Sequence, residues 1–210
     1  MLFIGNSLTT ANDLPGLVEK LSAAGSGQPI ACRTVAFPGY SLEDHWNRGD
    51  ARHAIAVGGW TMVVLQQGPS ALPESRVLLR DYTRRFDGEA RRVGARTALY
   101  MVWPASARRR DFDSVKGSYQ AAAREVGGLF LPVGEAWRAA WQRDAALELY
   151  GRDGFHPSPL ASYLGALVIY QQLSGRSPIG LPAMVATPAN AALLQSVAAE
   201  VNEAAATIRK

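Results

Sequence analysis

Five repeats of a short apolar run followed by an amphipathic stretch, along 210 residues, predict an α/β fold built on a parallel sheet covered on both faces. Two further observations support this class. Thr61 to Leu65 is an unbroken apolar run, the pattern of a strand buried on both sides rather than one. Hydrophobic residues make up 48% of the chain and charged residues 19%, enough apolar surface for a core without metal or disulfide staples and too much for a disordered chain. No apolar run reaches the roughly 18 to 20 residues that span a bilayer, so no membrane-embedded segment is expected.

The elements follow in order. Leu2-Phe3-Ile4 reads as the first strand. Leu14 to Ala24 reads as a helix, because Leu14, Leu17, Val18 and Leu21 share one face. Ile30 to Phe37 reads as the second strand, closed by Pro38-Gly39. Leu42 to Val57 is a helical or broken-helical crossover, and Thr61 to Leu65 the third strand. Glu74 to Val93 is a long charged helix, and Arg96 to Trp103 the fourth strand. Phe112 to Val126 is helical, Leu129 to Val133 is the fifth strand, and Glu135 to Ala146 and Pro159 to Leu173 are helices. A Pro- and Gly-rich stretch, Gly175 to Pro182, leads to an Ala-rich C-terminal helix at about 188–208. There is no internal repeat, and one domain is expected over residues 1–210.

The net charge is +4, and 19 of the 22 basic residues are Arg. No basic stripe interleaves with aromatics, so nucleic acid is not an expected partner. Arg108-Arg109-Arg110 is expected in a solvated loop. The single cysteine, Cys32, excludes an internal disulfide and reads as a buried structural thiol. Met1 falls almost on the first strand, with no signal peptide between them. The chain as it stands is expected in the cytoplasm; a leader lost upstream would make it periplasmic or secreted.

Ligands of parallel α/β sheets bind beyond the carboxyl ends of the strands, so the residues that follow each strand carry the function. After the first comes Gly5-Asn6-Ser7-Leu8-Thr9, where Ser7 is either a nucleophile near a helix N-terminus or a turn and N-cap residue. After the second comes Gly39, which either presents a bare N–H to a ligand or only makes a turn. After the third come Gln66 and Gln67, whose amides either cap the strand or donate to a developing oxyanion. Before the helix at Pro159 stands Asp153-Gly154-Phe155-His156-Pro157. An Asp three residues before a His on one constrained turn can orient the imidazole and leave its other nitrogen free as a base. His45 and His53 lie on the crossover, without a comparable partner, and read as packing or surface residues. No three ligands converge, so a metal site is not expected.

Taken in chain order, these blocks resemble those of the SGNH hydrolase (GDSL-like esterase/lipase) superfamily. The resemblance runs from residue 5 to about 173 and is carried by Gly5-Asn6-Ser7-Leu8, Gly39 and Asp153-Gly154-Phe155-His156-Pro157. It implies a three-layer α/β/α sandwich, flavodoxin-like, with a five-stranded parallel sheet. It also implies a catalytic Ser7, Asp153 and His156, with the Ser7 and Gly39 N–H groups in the oxyanion hole. Two positions depart from the pattern. Asn6 stands where many members carry Asp. The third block, which usually supplies an oxyanion-donating Asn, reads Leu65-Gln66-Gln67-Gly68-Pro69-Ser70, similar to a Gln-bearing variant in some carbohydrate acetylesterases. Gln66 is expected to be that donor, with Gln67 the alternative.

The implied activity is hydrolysis of short-chain acyl esters, acetyl foremost, with carbohydrates among the candidate alcohols and with no cofactor. Tyr40, Trp46, Trp60 and Trp103 lie on or near segments that follow strands; they suit either a sugar or an acyl chain, and most of the five Trp are expected to pack in the core or at its rim. Transfer of the acyl group to an acceptor hydroxyl, and a silent binding protein on the same fold, are the competing classes. No Gly-x-Ser-x-Gly elbow and no phosphate-binding Gly-x-x-x-x-Gly-Lys loop occurs.

Overall fold

The two most apolar strands lie side by side at the centre of the sheet. β1 (Leu2–Gly5) and β3 (Met62–Leu65) are buried along their whole lengths and pair in parallel, Phe3 opposite Val64 and Ile4 opposite Leu65. The computed structural model describes residues 1–25 and 27–207. Outside the central pair stand β2 (Arg33–Ala36), β4 (Arg96–Tyr100) and β5 (Leu129–Leu131), giving a parallel five-stranded sheet in the order β2-β1-β3-β4-β5. The chain steps from β1 outward to β2, then back across to β3. The carboxyl ends of β1 and β3 therefore flank the topological switch point where such sheets bind ligands.

Helices cover both faces. α1 (Ser7–Thr10) and α2 (Leu14–Ala24) follow β1, and α2 buries the predicted Leu14, Leu17, Val18 and Leu21. The crossover from β2 is broken, as α3 (Leu42–Arg48) and α4 (Asp50–Ala56), because Gly49 takes φ +92° between them. α5 (Pro73–Arg92) and α6 (Phe112–Glu125) pack beside them. The other layer holds α2, α7 (Val133–Arg143), α8 (Pro159–Ser174) and α9 (Pro188–Thr207). α8 is buried without a break from Ala161 to Tyr170, because α2 lies on one side of it and α9 on the other. No helix of the described residues is long and apolar enough to cross a membrane.

Several boundaries differ from expectation, each for a local reason. β2 begins at Arg33 rather than Ile30, since its partner β1 begins at Leu2 opposite Arg33. Side chains of α2 take the preceding backbone instead: Ser22 accepts from the Ile30 N–H and Glu19 from the Cys32 N–H, each at 2.6 Å. β4 stops at Tyr100, opposite the last residue of β5, because no strand continues beside Met101 to Trp103. α7 starts at Val133, where the fifth strand was expected to continue, and ends at Arg143. There the Asp144 carboxylate accepts from the Ala146 N–H and turns the chain out of the helix. The C-terminal helix reaches Thr207; its expected last residue, at 208, lies outside the described residues.

Candidate active site

The Ser7 turn is shaped by its neighbours. Asn6 caps α1 by accepting from the Leu8 N–H at 3.0 Å, and Ser7 is the first residue of that single turn. Gly5 is required for space rather than for an unusual φ: a Cβ there would collide with the Thr9 hydroxyl and the Gln66 carbonyl oxygen. Gly39 is required for its conformation, with φ +75° and open space where a Cβ would stand. Neither the Ser7 nor the Gly39 N–H has a protein acceptor among the described residues.

The turn before α8 brings the other two residues to Ser7. His156 Nε2 lies 2.9 Å from Ser7 Oγ, and His156 Nδ1 lies 2.5 Å from Asp153 Oδ2. The other carboxylate oxygen, Oδ1, accepts the N–H groups of Phe155 and His156, each at 3.0 Å. The hydrogen bond from the His156 ring, followed by those two N–H groups, holds the Asp153 carboxyl down at about 2, so it is ionised at neutral pH. The loop is fixed from outside. Trp103 Nε1 donates to the Phe155 carbonyl at 2.9 Å, and the Ser106 N–H donates to the Gly154 carbonyl at 2.8 Å. Asn12, at φ +55°, donates to the Pro157 carbonyl at 2.9 Å and so ties the histidine turn to the serine segment. The Asn12 tie escaped the sequence reading. Its available signal was the Asn12-Asp13 pair, residue types that tolerate positive φ.

The expected oxyanion role of the glutamines is not what the folded chain shows. Gln66 is 1% exposed, and its Nε2 donates to Asn6 Oδ1 at 3.0 Å and to the Gln67 carbonyl at 2.5 Å. Both of its donor hydrogens are thereby engaged beneath the Ser7 turn. Gln67 faces the pocket, yet its Nε2 is likewise engaged, by Ser70 Oγ at 2.8 Å and the Ser75 carbonyl at 3.1 Å. Neither amide has a donor left for a substrate oxygen.

A cavity of about 530 Å³ opens beside Ser7 and Gly39. Its walls are mainly apolar, with Pro69, Leu72, Leu78 and Phe155 among them, and Arg108 and Asp111 stand at one side. Of the four aromatics singled out in the sequence, Tyr40 alone lines this cavity. Trp103 is buried and stacked on Trp137 with ring centres 3.8 Å apart, Trp46 packs against Phe86, and Trp60 donates to the Ala54 carbonyl. The arginine cluster is solvent-exposed as expected, but on a short 3-10 turn, Ser106–Asp111, rather than an irregular loop. There Arg108 pairs with Asp111, and Arg109 lies over the Trp141 ring at 4.1 Å. His45 is wholly buried under the site, with Nε2 2.6 Å from the Gly5 carbonyl, and burial lowers its pKa.

Cys32 precedes β2 at the opposite, amino end of the sheet. Burial, and then the nearby Glu19 carboxylate, push its thiol up to about 11, so the unreactive protonated form prevails at neutral pH. Iodoacetamide at neutral pH should leave enzymatic activity unchanged; inactivation in step with Cys32 alkylation would show that the thiol matters to the site.

Over 82% of its length the chain is 30% identical to a protein from Slackia heliotrinireducens assigned as an SGNH hydrolase, with a TM-score of 0.72 and 97% of that chain covered. The chain belongs to the SGNH hydrolase superfamily. A DUF4886 family protein from Bacteroides uniformis shares the fold at 17% identity and a TM-score of 0.76, over 95% of this chain and 93% of that one. A variant of an acetyl-xylooligosaccharide esterase from Geobacillus does so at 17% identity and a TM-score of 0.59, over 82% of this chain and 90% of its own. No family model and no curated protein matches the sequence.

Proposed function

We propose that this protein is a serine hydrolase of short-chain carboxylic esters, acetyl esters foremost, with a carbohydrate among the alcohols it accepts. The observation that carries the proposal is the hydrogen-bonded series Ser7–His156–Asp153, whose serine lines the cavity. His156 Nε2 takes the proton from Ser7 Oγ as the oxygen attacks the ester carbonyl carbon. The Ser7 and Gly39 N–H groups hold the resulting oxyanion. As the intermediate collapses, the C–O bond to the alcohol breaks, and the alcohol leaves with the proton from His156. Water, deprotonated by His156, then cleaves the acyl-Ser7 ester and releases the carboxylic acid. Asp153, ionised throughout, orients the imidazole and stabilises its cationic form.

Two observations support the acetyl preference and the carbohydrate: Ser70, Arg108 and Asp111 line the cavity beside its apolar wall, and an acetyl-xylooligosaccharide esterase shares the fold. The test is a series of p-nitrophenyl acetate, butyrate and octanoate, followed by acetylated xylo-oligosaccharides. The expected order of kcat/KM is acetate, butyrate, octanoate, with acetate ion released from the sugar. An octanoate preference would overturn the short-chain assignment, and no turnover of any ester would overturn the activity.

A further inference from the structure

The two positions that depart from the family pattern, Asn6 and Gln66, meet in the folded chain. Gln66 Oε1 accepts from the Asn6 N–H at 2.9 Å and from the Thr9 hydroxyl at 2.7 Å. Gln66 Nε2 donates to Asn6 Oδ1 at 3.0 Å. Asn6 Oδ1 also accepts from the Leu8 N–H at 3.0 Å, and Asn6 Nδ2 donates to the Tyr40 carbonyl at 3.0 Å. This carboxamide pair therefore joins the ends of three strands: β1 with the Ser7 turn, β2 with the Gly39-Tyr40 turn, and β3. Asn6 is 6% exposed and Gln66 1%, so water does not compete for these bonds.

The pattern of donors and acceptors requires an amide at both positions. A carboxylate at position 6 would set an oxygen against the Tyr40 carbonyl. A carboxylate at position 66 would set one against Asn6 Oδ1 and the Gln67 carbonyl. The two departures are thus one coupled change. Gly5 belongs to the same unit, since a side chain there would occupy the place of the Gln66 oxygen.

We infer that Gln66 is a positioning residue: coupled to Asn6, its carboxamide holds the Ser7 hydroxyl and the Ser7 and Gly39 N–H groups in register for attack. This rests on the ester hydrolase function proposed above and assigns the third sequence block a role other than direct oxyanion donation. Misplacing a nucleophile by an ångström costs on the order of 10² in rate, so Gln66→Ala should lower kcat by about that factor with KM within about twofold. Asn6→Ala should lower kcat comparably. Because both act through one turn, the double variant should be no worse than the weaker single one. Thr9→Val removes one bond at nearly constant volume and should lower kcat less, with Thr9→Ser restoring it.

The experiment measures kcat and KM on p-nitrophenyl acetate and, in parallel, the rate at which a fluorophosphonate labels Ser7. Both are corrected for the folded fraction of each variant. Parallel, non-additive losses in both readouts support the inference. If the Gln66→Ala and Asn6→Ala losses multiply in the double variant, Gln66 acts independently, as a direct donor, and the inference is overturned. If Gln66→Ala lowers only the unfolding temperature and keeps full activity per folded molecule, the role is merely structural and the inference is again overturned. Should Gln66→Ala fail to fold, the Thr9→Val and Thr9→Ser pair decides: equal activities in the two would overturn the inference. A wild-type protein that is labelled yet turns over no ester contradicts the substrate assignment alone, and the labelling rates still test the coupling. A wild-type protein that does neither overturns the proposed function and the positioning role together.

Discussion

Ser7→Ala should lower ester hydrolysis on the order of 10⁴-fold or more, because the Oγ supplies the bond on which both half-reactions depend. The substitution removes only a hydroxyl whose partner, His156, is itself part-exposed, with 40% of its side chain accessible. The turn is held by Asn6, Gln66 and the small Gly5, none of which needs the serine hydroxyl. Thermal unfolding should therefore be nearly unchanged, and the loss should fall in kcat. Measured kcat/KM on p-nitrophenyl acetate checks this; a Ser7→Ala protein retaining a tenth of the activity would exclude Ser7 as the nucleophile.

Asp153→Asn should be the next most damaging change, through the tautomer it imposes on His156. The carboxylate accepts the Nδ1 proton and leaves Nε2 with a lone pair facing Ser7 Oγ. An amide hydrogen in the same place would donate to Nδ1, move the ring proton to Nε2 and present Ser7 with a donor instead of a base. The same change at a fully buried triad aspartate costs about 10⁴, and here half of the Asp153 side chain is accessible, so water can partly restore the tautomer and a loss of about 10³ is expected. The pH dependence has a definite sign. With its pKa lowered to about 2, Asp153 loses its charge only as pH falls through that value. A decline in activity beginning above about pH 4 must therefore come from another group. The kcat of the Asn variant across pH checks both statements; an undiminished rate would show that Asp153 does not orient His156.

The contact between Asp153 and His156 was legible in the sequence because both sit on one short turn, where three residues of separation already fix it. The meeting of Ser7 and Gly39 beside one cavity was legible because each follows an apolar strand, and parallel sheets collect such positions at one end. The contacts of Gln66 were not legible because they depend on register. Pairing of Ile4 with Leu65 sets Gln66 beside Asn6 and Thr9, beneath the serine turn, rather than toward substrate. Two adjacent glutamines after an apolar strand carry no information about which groups wait beside each of them. The element types followed from periodicity. The ends moved where distant side chains took over the backbone, as Ser22 and Glu19 do before β2. Trp103, at the end of an expected strand, is a packing residue stacked on Trp137, and it also donates to the Phe155 carbonyl of the histidine turn.

The measurement that bears most directly on the proposed function is mass-spectrometric mapping of a fluorophosphonate adduct on the wild-type protein and on a His156→Ala variant. The account predicts one adduct per chain, on the peptide containing Ser7, formed in step with loss of acetate hydrolysis and slowed by orders of magnitude when His156 is removed. Labelling at any other serine, or labelling of Ser7 at the same rate without His156, would contradict it.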